Sequence, residues 1–181
     1  MRGSRRCATV IPITPRSPTK EGYKQIRNIF IETADNEKEH AKRVYKFLLA
    51  GLAGELPAMV EIKAFYPVAQ GNTLDNLKAA AEGEHEEWQE LYPEFGRMAD
   101  AEGFPEIGEA FRKIADAEVS HETRYRKLAA NIENSRVFAR DTEVSWKCGN
   151  CGYIHEGAEA PQICAACIHP QAHFEVFSEA Y

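Results

Sequence analysis

From Lys20 onward the chain places apolar residues at helical spacing. Tyr23, Ile26, Phe30, Ala34, Ala41, Val44, Tyr45 and Phe47 to Leu49 keep a period near 3.6 for about eight turns, until Gly51 and the Gly54 to Pro57 stretch end it. A second helix is predicted from about Leu74 to Ala101, with Asn72 or Thr73 as its cap and Pro93 as a kink inside it. Gly103 to Pro105 breaks the pattern, and a third helix from about Glu106 to Glu133 carries Ile107, Ala110, Phe111, Ile114, Ala117, Tyr125 and Leu128. The connection over residues 52 to 72 contains Pro57, Pro67 and Gly71, and its length predicts a crossover that sets the second helix parallel to the first.

That makes three long helices, one fewer than a four-helix bundle requires. After Asn134 the period shortens, and Val144 to Lys147, Tyr153 to His155 and Phe174 to Phe177 read as short strands. Residues 1 to 19 have no helical period and carry Arg2, Arg5, Arg6 and three prolines. The chain therefore divides into a tail over 1–19, a helical domain over 20–138 and a small β domain over 139–181. The fold class is mainly α with a small C-terminal β domain.

The polar positions that interrupt the apolar stripes carry the chemistry. Glu37 and His40, and again Glu118 and His121, form Glu-x-x-His pairs, and Glu84 and Glu87 form a carboxylate pair at the same spacing. Residues three apart on a helix project from one face about a turn apart, so each pair can bind one cation. One such pair is ordinary on a solvated face. Two on separate long helices, with a carboxylate pair between them and small or apolar neighbours such as Ile31, Ala34, Ala41, Phe47, Ala80, Ala81, Leu91, Ile114 and Ala117, point into a bundle interior. A buried carboxylate needs a cation there. This is the ligand inventory of a di-iron helical bundle.

Four of the five cysteines form two C-x-x-C pairs, Cys148 with Cys151 and Cys164 with Cys167, leaving Cys7 outside. Four thiolates in two such turns favour a metal over disulfides. Glycines in Cys148-Gly149-Asn150-Cys151-Gly152 let backbone amides turn toward sulfur. Zinc ribbons and rubredoxin-type iron centres share these ligands, and the residues leave both open. Trp146, Tyr153, Phe174 and Phe177 would exclude water and tune an iron centre, and equally fit a small core.

Composition narrows the partners. A net charge of -6 argues against nucleic acid or an anionic membrane. No apolar run approaches the ~20 residues of a membrane span, and the apolar run near the start is short and broken by Pro12. The reading is a cytoplasmic protein. His85, His155, His169 and His173 read as surface or packing residues.

Together the stretches around Glu37-Lys38-Glu39-His40, Gly83-Glu84-His85-Glu86-Glu87, Ala117-Glu118-Val119-Ser120-His121-Glu122 and Trp146-Lys147-Cys148-Gly149-Asn150-Cys151-Gly152-Tyr153 resemble the rubrerythrin family, over residues 20 to 181. The resemblance implies a ferritin-like di-iron bundle followed by a rubredoxin-like domain. It implies that Glu37, His40, Glu84, Glu87, Glu118 and His121 ligate two irons, that Glu87 and His40 compete for one of them, and that Tyr92 lies near the site. Cys148, Cys151, Cys164 and Cys167 would hold a single iron, with zinc as the other option.

The implied activity is a non-haem di-iron peroxidase of oxidative-stress defence that reduces hydrogen peroxide to water. Electrons would pass through the four-cysteine centre of a head-to-tail homodimer. A separate NAD(P)H-dependent donor protein would supply them, since the chain has no Gly-rich dinucleotide motif. Two other readings use the same residues: ferritin-like iron oxidation and storage, and an electron carrier or metal-binding remnant with an incomplete di-iron site.

The departure from the family is at the front, where a first helix carrying one more Glu ligand is missing. Back-translation of residues 1 to 20 in a shifted frame permits A-G-E-S-Q-x-R-N-R-Y, so residues 1–19 read as a frameshift product that has replaced that helix.

Overall fold

The predicted periodicities become five α-helices in the computed structural model, which describes residues 16–62 and 68–179. They are α1 (Arg16–Lys20), α2 (Lys24–Gly51), α3 (Thr73–Glu86), α4 (Tyr92–Ala101) and α5 (Pro105–Glu133). Residues 1–15 lie outside the described residues, and so does the frameshift reading of them. Residues 16–19, which the sequence pattern placed in the tail, begin a helical turn whose Pro18 is fully buried and whose carbonyl accepts from the Tyr23 N–H at 2.6 Å.

The second predicted helix runs without a break through Pro93, with its irregularity just before that residue. A π-helical turn, Glu87–Leu91, joins α3 to α4, with the Tyr92 N–H reaching the Glu87 carbonyl five residues back. Pro93 follows the π turn directly, where the regular i→i−4 ladder is already interrupted. The cap is Asn72, whose side chain accepts from the Asp75 N–H at 2.9 Å.

Side-chain pairings fix the directions. Ile26 and Phe30 cluster with Leu77 and Ala80, while farther along α2 Val44 and Leu48 face Leu91 and Phe95. Thus α2 and the α3–α4 rod run parallel, as the long connection predicted. Helix α5 runs opposite, with Phe30 on Tyr125 at 5.1 Å and His40 beside Glu118 at 3.0 Å. Helices α4 and α5 approach closely at Gly96 and Gly108. A Cβ on Gly108 would stand 2.2 Å from an Asp100 carboxylate oxygen and 3.0 Å from the Gly96 carbonyl.

Two apolar clusters result, one around Leu77 and Tyr125 and one around Tyr92 and Ile114. Between them lies a buried polar layer: Thr33, Glu84, Glu87, Glu118 and His121. The pattern had also assigned Ile31, Ala34 and Ala41 to the interior, and there it fails. All three are exposed, as are Tyr45 and Leu48, because no helix among the described residues covers that flank of α2. A groove of about 530 Å³ runs there, between α2 and α4.

The C-terminal domain is a three-stranded antiparallel sheet in the order β2-β1-β3, with β1 Ala139–Cys148, β2 Ile154–Glu159 and β3 Phe174–Val176. Its core is Trp146, Cys148, Ala160, Cys164 and Phe174, all nearly fully buried. Tyr23 stacks on Phe138 at 6.2 Å and the Lys24 ammonium donates to His173 Nε2 at 2.5 Å, so the sheet rests against the start of α2. No described helix is long and apolar enough to cross a membrane.

Candidate metal centres

Helical spacing places each acidic pair, and helix packing brings the pairs together. Glu37 on α2, Glu84 on α3 and Glu118 and His121 on α5 each offer one ligand atom, and these four atoms lie within 4.8 Å of one another. His121 Nδ1 stands 2.7 Å from Glu118, 3.2 Å from Glu37 and 3.8 Å from Glu84. His40 joins the edge of the group, 3.0 Å from Glu118 and 3.3 Å from Glu37. Glu87 is buried on the π turn but stands outside the four-residue group. Tyr92 is buried, stacks on Phe111 at 6.0 Å, and lines the groove together with Glu37 and His40.

Glu84 and Glu118 are completely buried, yet neither oxygen of either carboxylate has a partner with hydrogen-bond geometry. The close approaches to His121 lack the angular alignment of hydrogen bonds. Buried carboxylates left in this state are costly unless a cation joins them, so the donor set fits a metal. The electrostatics agree. Burial, together with the charges of Glu118 and Glu37, drives the Glu84 carboxyl up to about 7 against the pull of His121. Burial also opposes ionisation of Glu37, but His121 and His40 outweigh it and hold that carboxyl at about 2. Glu118 and Glu37 raise His40 to about 10; His121, despite its own burial, is raised to about 11 by Glu118, Glu37 and Glu84.

Two supports were not visible as periodicity. Asn36 Oδ1 lies 3.3 Å from His121 Nε2, so it accepts that N–H and leaves Nδ1 facing the carboxylates. Glu122 accepts from the Trp88 indole, from the Arg126 Nε at 2.6 Å, and contacts His85 Nδ1 at 3.1 Å. His85 and Trp88 each follow a site carboxylate directly, so this contact pins the π turn to α5. Their only sequence signal is adjacency to Glu84, Glu87 and His121.

The second centre is local. Cys148 Sγ lies 3.8 Å from Cys167 Sγ, and Cys151 Sγ lies 3.7 Å from Cys164 Sγ. A tetrahedron with metal–sulfur bonds of about 2.3 Å has edges of about 3.8 Å. All four sulfurs lie within 4.8 Å of one another and none is in a disulfide, so the set fits one tetrahedral metal. The His169 backbone N–H draws the Cys167 thiol down to about 6, as expected where amides turn toward sulfur. The first knuckle turns through Gly152 at φ +81°, and the second through Ile168 at φ +60°.

Comparison with known proteins agrees with both centres. Residues 16–129 match the family described as Rubrerythrin, and residues 146–175 match the family described as Rubrerythrin, rubredoxin-like domain. The chain is 63% identical over 163 residues to a rubrerythrin of Clostridium perfringens, covering 90% of this chain and 82% of that protein. It is 49% identical over 158 residues to a rubrerythrin of Nitratidesulfovibrio vulgaris, covering 87% and 79%. Among solved structures, partially reduced nigerythrin superposes with a TM-score of 0.57 at 29% identity, covering 92% of this chain and 77% of that one. With a carboxylate–histidine group in a ferritin-like bundle and a four-cysteine group in a rubredoxin-like domain, the chain belongs to the rubrerythrin family of iron-binding proteins.

Proposed function

We propose that the chain is a non-haem di-iron peroxidase that reduces hydrogen peroxide to water, with electrons relayed through the four-cysteine iron. The carrying observation is the pair of fully buried carboxylates, Glu84 and Glu118, converging on His121 without a hydrogen bond to any of their oxygens. Glu37, Glu84, Glu118 and His121 would hold the iron pair, with His40 and Glu87 as exchangeable ligands. When bound, the iron supplies the two electrons that cleave the O–O bond.

The residues supply the rest. Three carboxylates offset the charge of the cations, and Asn36 keeps the His121 proton on Nε2, away from the ligand face. Tyr92, Phe95 and Phe111 give the groove beside Glu37 and His40 an apolar α4–α5 wall. The balance is one peroxide, two protons and two electrons to two waters.

A separate NAD(P)H-dependent protein would supply electrons, within a head-to-tail homodimer in the cytoplasm. The test is anaerobic reduction of the iron-loaded chain followed by hydrogen peroxide. Visible absorption of the four-cysteine iron should return, and should fail to return in Glu118→Ala. Equal reoxidation in that variant would sink the reading. A second reading has one observation in its favour, the exposed flank of α2 beside Glu37 and His40. In that case only the four-cysteine site loads, and iron analysis gives about one metal per chain in place of about three.

A further inference from the structure

We propose that the cleft between the start of α2 and the first cysteine knuckle is the docking site for an acidic patch on the electron-donor protein. The proposal rests on the reading above that electrons enter through the four-cysteine iron. The cleft holds about 460 Å³ and is lined by Lys24 and Arg27 of α2, Lys147 of β1, and His173, beside Gly149 and Asn150 of the knuckle. Lys24, Arg27 and Lys147 are half-buried, and none forms an ion pair among the described residues.

Lys38, Lys42, Lys78, Arg112, Arg124 and Arg126 have carboxylate partners; cations without an ion pair, such as Arg97 and Lys127, also occur elsewhere among the described residues, and here three line one cleft beside a cysteine knuckle. Lys24 donates to His173, Arg27 to neighbouring Asn28, and Lys147 stands 5.9 Å above the Phe177 ring. Glu175 is the one carboxylate lining the cleft, opposite Lys147 in the strand register, and it does not neutralise three cations. On a chain of net charge -6 this is a local positive spot. Such a spot orients an approaching anionic surface more than it adds affinity.

Its position gives the orientation a use. Gly149 and Asn150 lie inside the loop that carries Cys148 and Cys151, and Cys151 is exposed while Cys148 is buried. A protein seated on the cleft therefore touches the backbone between two of the four sulfurs.

The test uses the full iron-loaded chain and reduced flavodoxin, an acidic flavoprotein, as probe. One electron passes from the flavin hydroquinone to the ferric four-cysteine iron, followed by stopped-flow absorption. The rate should fall at least tenfold between low and high salt, and about tenfold in the Arg27→Glu/Lys147→Glu double variant at low salt. Lys147→Arg should keep it. Reduction by dithionite should be unchanged in every variant, and the ferric spectrum confirms that each has folded and loaded. A flavodoxin rate insensitive to salt and to charge reversal overturns the proposal, as does an equal loss with dithionite. Reoxidation by hydrogen peroxide is scored separately, so failure of the peroxidase reading shows there and not in the reduction step.

Discussion

Cys148, Cys151, Cys164 and Cys167 come from one short stretch, and two tight loops suffice to bring their sulfurs to tetrahedral spacing. Glu37, Glu84, Glu118 and His121 come from three helices, and they meet only if α2, α3 and α5 pack in register. The first centre is also the core of its domain, since Cys148 and Cys164 are as buried as Trp146 and Phe174. The second is a polar layer between two apolar clusters, closed on the α5 side and open along α2, where the Glu37 side chain keeps 16% of its exposure against 0% for Glu118. A site built from local turns is made once the turns form. A site built from helices inherits every gap in their packing.

The largest expected effect separates the two centres. Cys164→Ser removes a buried ligand from the four-cysteine site, where structural metals of this kind contribute about 10 kcal/mol or more to folding a small domain. The visible absorption and the near-ultraviolet signal of Trp146 should vanish, while far-ultraviolet helix content stays. Loss of helix along with the sheet would mean that the contacts of Tyr23 with Phe138 and Lys24 with His173 make one cooperative unit of the two domains.

Next in size is the pH dependence of the metal-free helical site. His40 and His121 are raised to about 10 and about 11, so the stability they contribute is complete below 6.5 and lost as pH rises through those values. Glu84, raised to about 7, acts in the same direction, its contribution falling between 4.5 and 7. Glu37, lowered to about 2, is the opposite case: its contribution is present above 4.5 and lost only as pH falls through 2. The urea midpoint of the metal-free helices should be highest near pH 5 and decline toward pH 9. With iron the order reverses, because imidazoles must shed their protons to ligate. A metal-free midpoint that rises from pH 5 to 9 would refute this arrangement of charges.

The sequence foretold the two centres unequally, for the same reason that they differ physically. The C-x-x-C turns carry their geometry in four residues each, and the three paired motifs at i, i+3 carry theirs in one helical turn. The parallel run of α2 and α3 was legible too, in the length of the 52–72 connection. What the pattern could not carry was tertiary. Ile31, Ala34 and Ala41 have interior spacing yet lie exposed, since periodicity reports which face is apolar and not whether anything covers it. The π turn at Glu87–Leu91 has no signal in the pattern beyond the nearby Pro93, because the contacts that hold it, Trp88 and His85 on Glu122, cross between helices.

A smaller effect tests how far burial alone governs the helical site. Glu84→Gln keeps the volume and removes the charge at a fully buried position. Metal-free thermal stability should rise, by about 1–3 kcal/mol, the cost of leaving a buried charge or polar group poorly paired. Iron binding by the helical domain should be lost. A less stable metal-free variant would mean that the carboxylate is held by the histidines even without metal.

The smallest effect lies in the better-formed centre and shows that local turns store strain as well. The residue after the second cysteine has left-handed backbone in both knuckles, and the first spends a glycine there while the second uses Ile168. An L-residue in that region costs roughly 1–2 kcal/mol, and a β-branched one is the least suited to it. Ile168 is 75% exposed, so its side chain recovers little by packing. Glycine would relieve the strain but add about 0.5–1 kcal/mol of chain entropy to the unfolded state. Asparagine tolerates the left-handed region without that freedom, so Ile168→Asn should stabilise the β domain by about 0.5–1 kcal/mol. Metal release to a chelator, followed at the visible band, should slow accordingly. If Ile168→Asn releases metal faster, the isoleucine makes a contact worth more than its backbone strain, and the exposed side of the second knuckle is an interface.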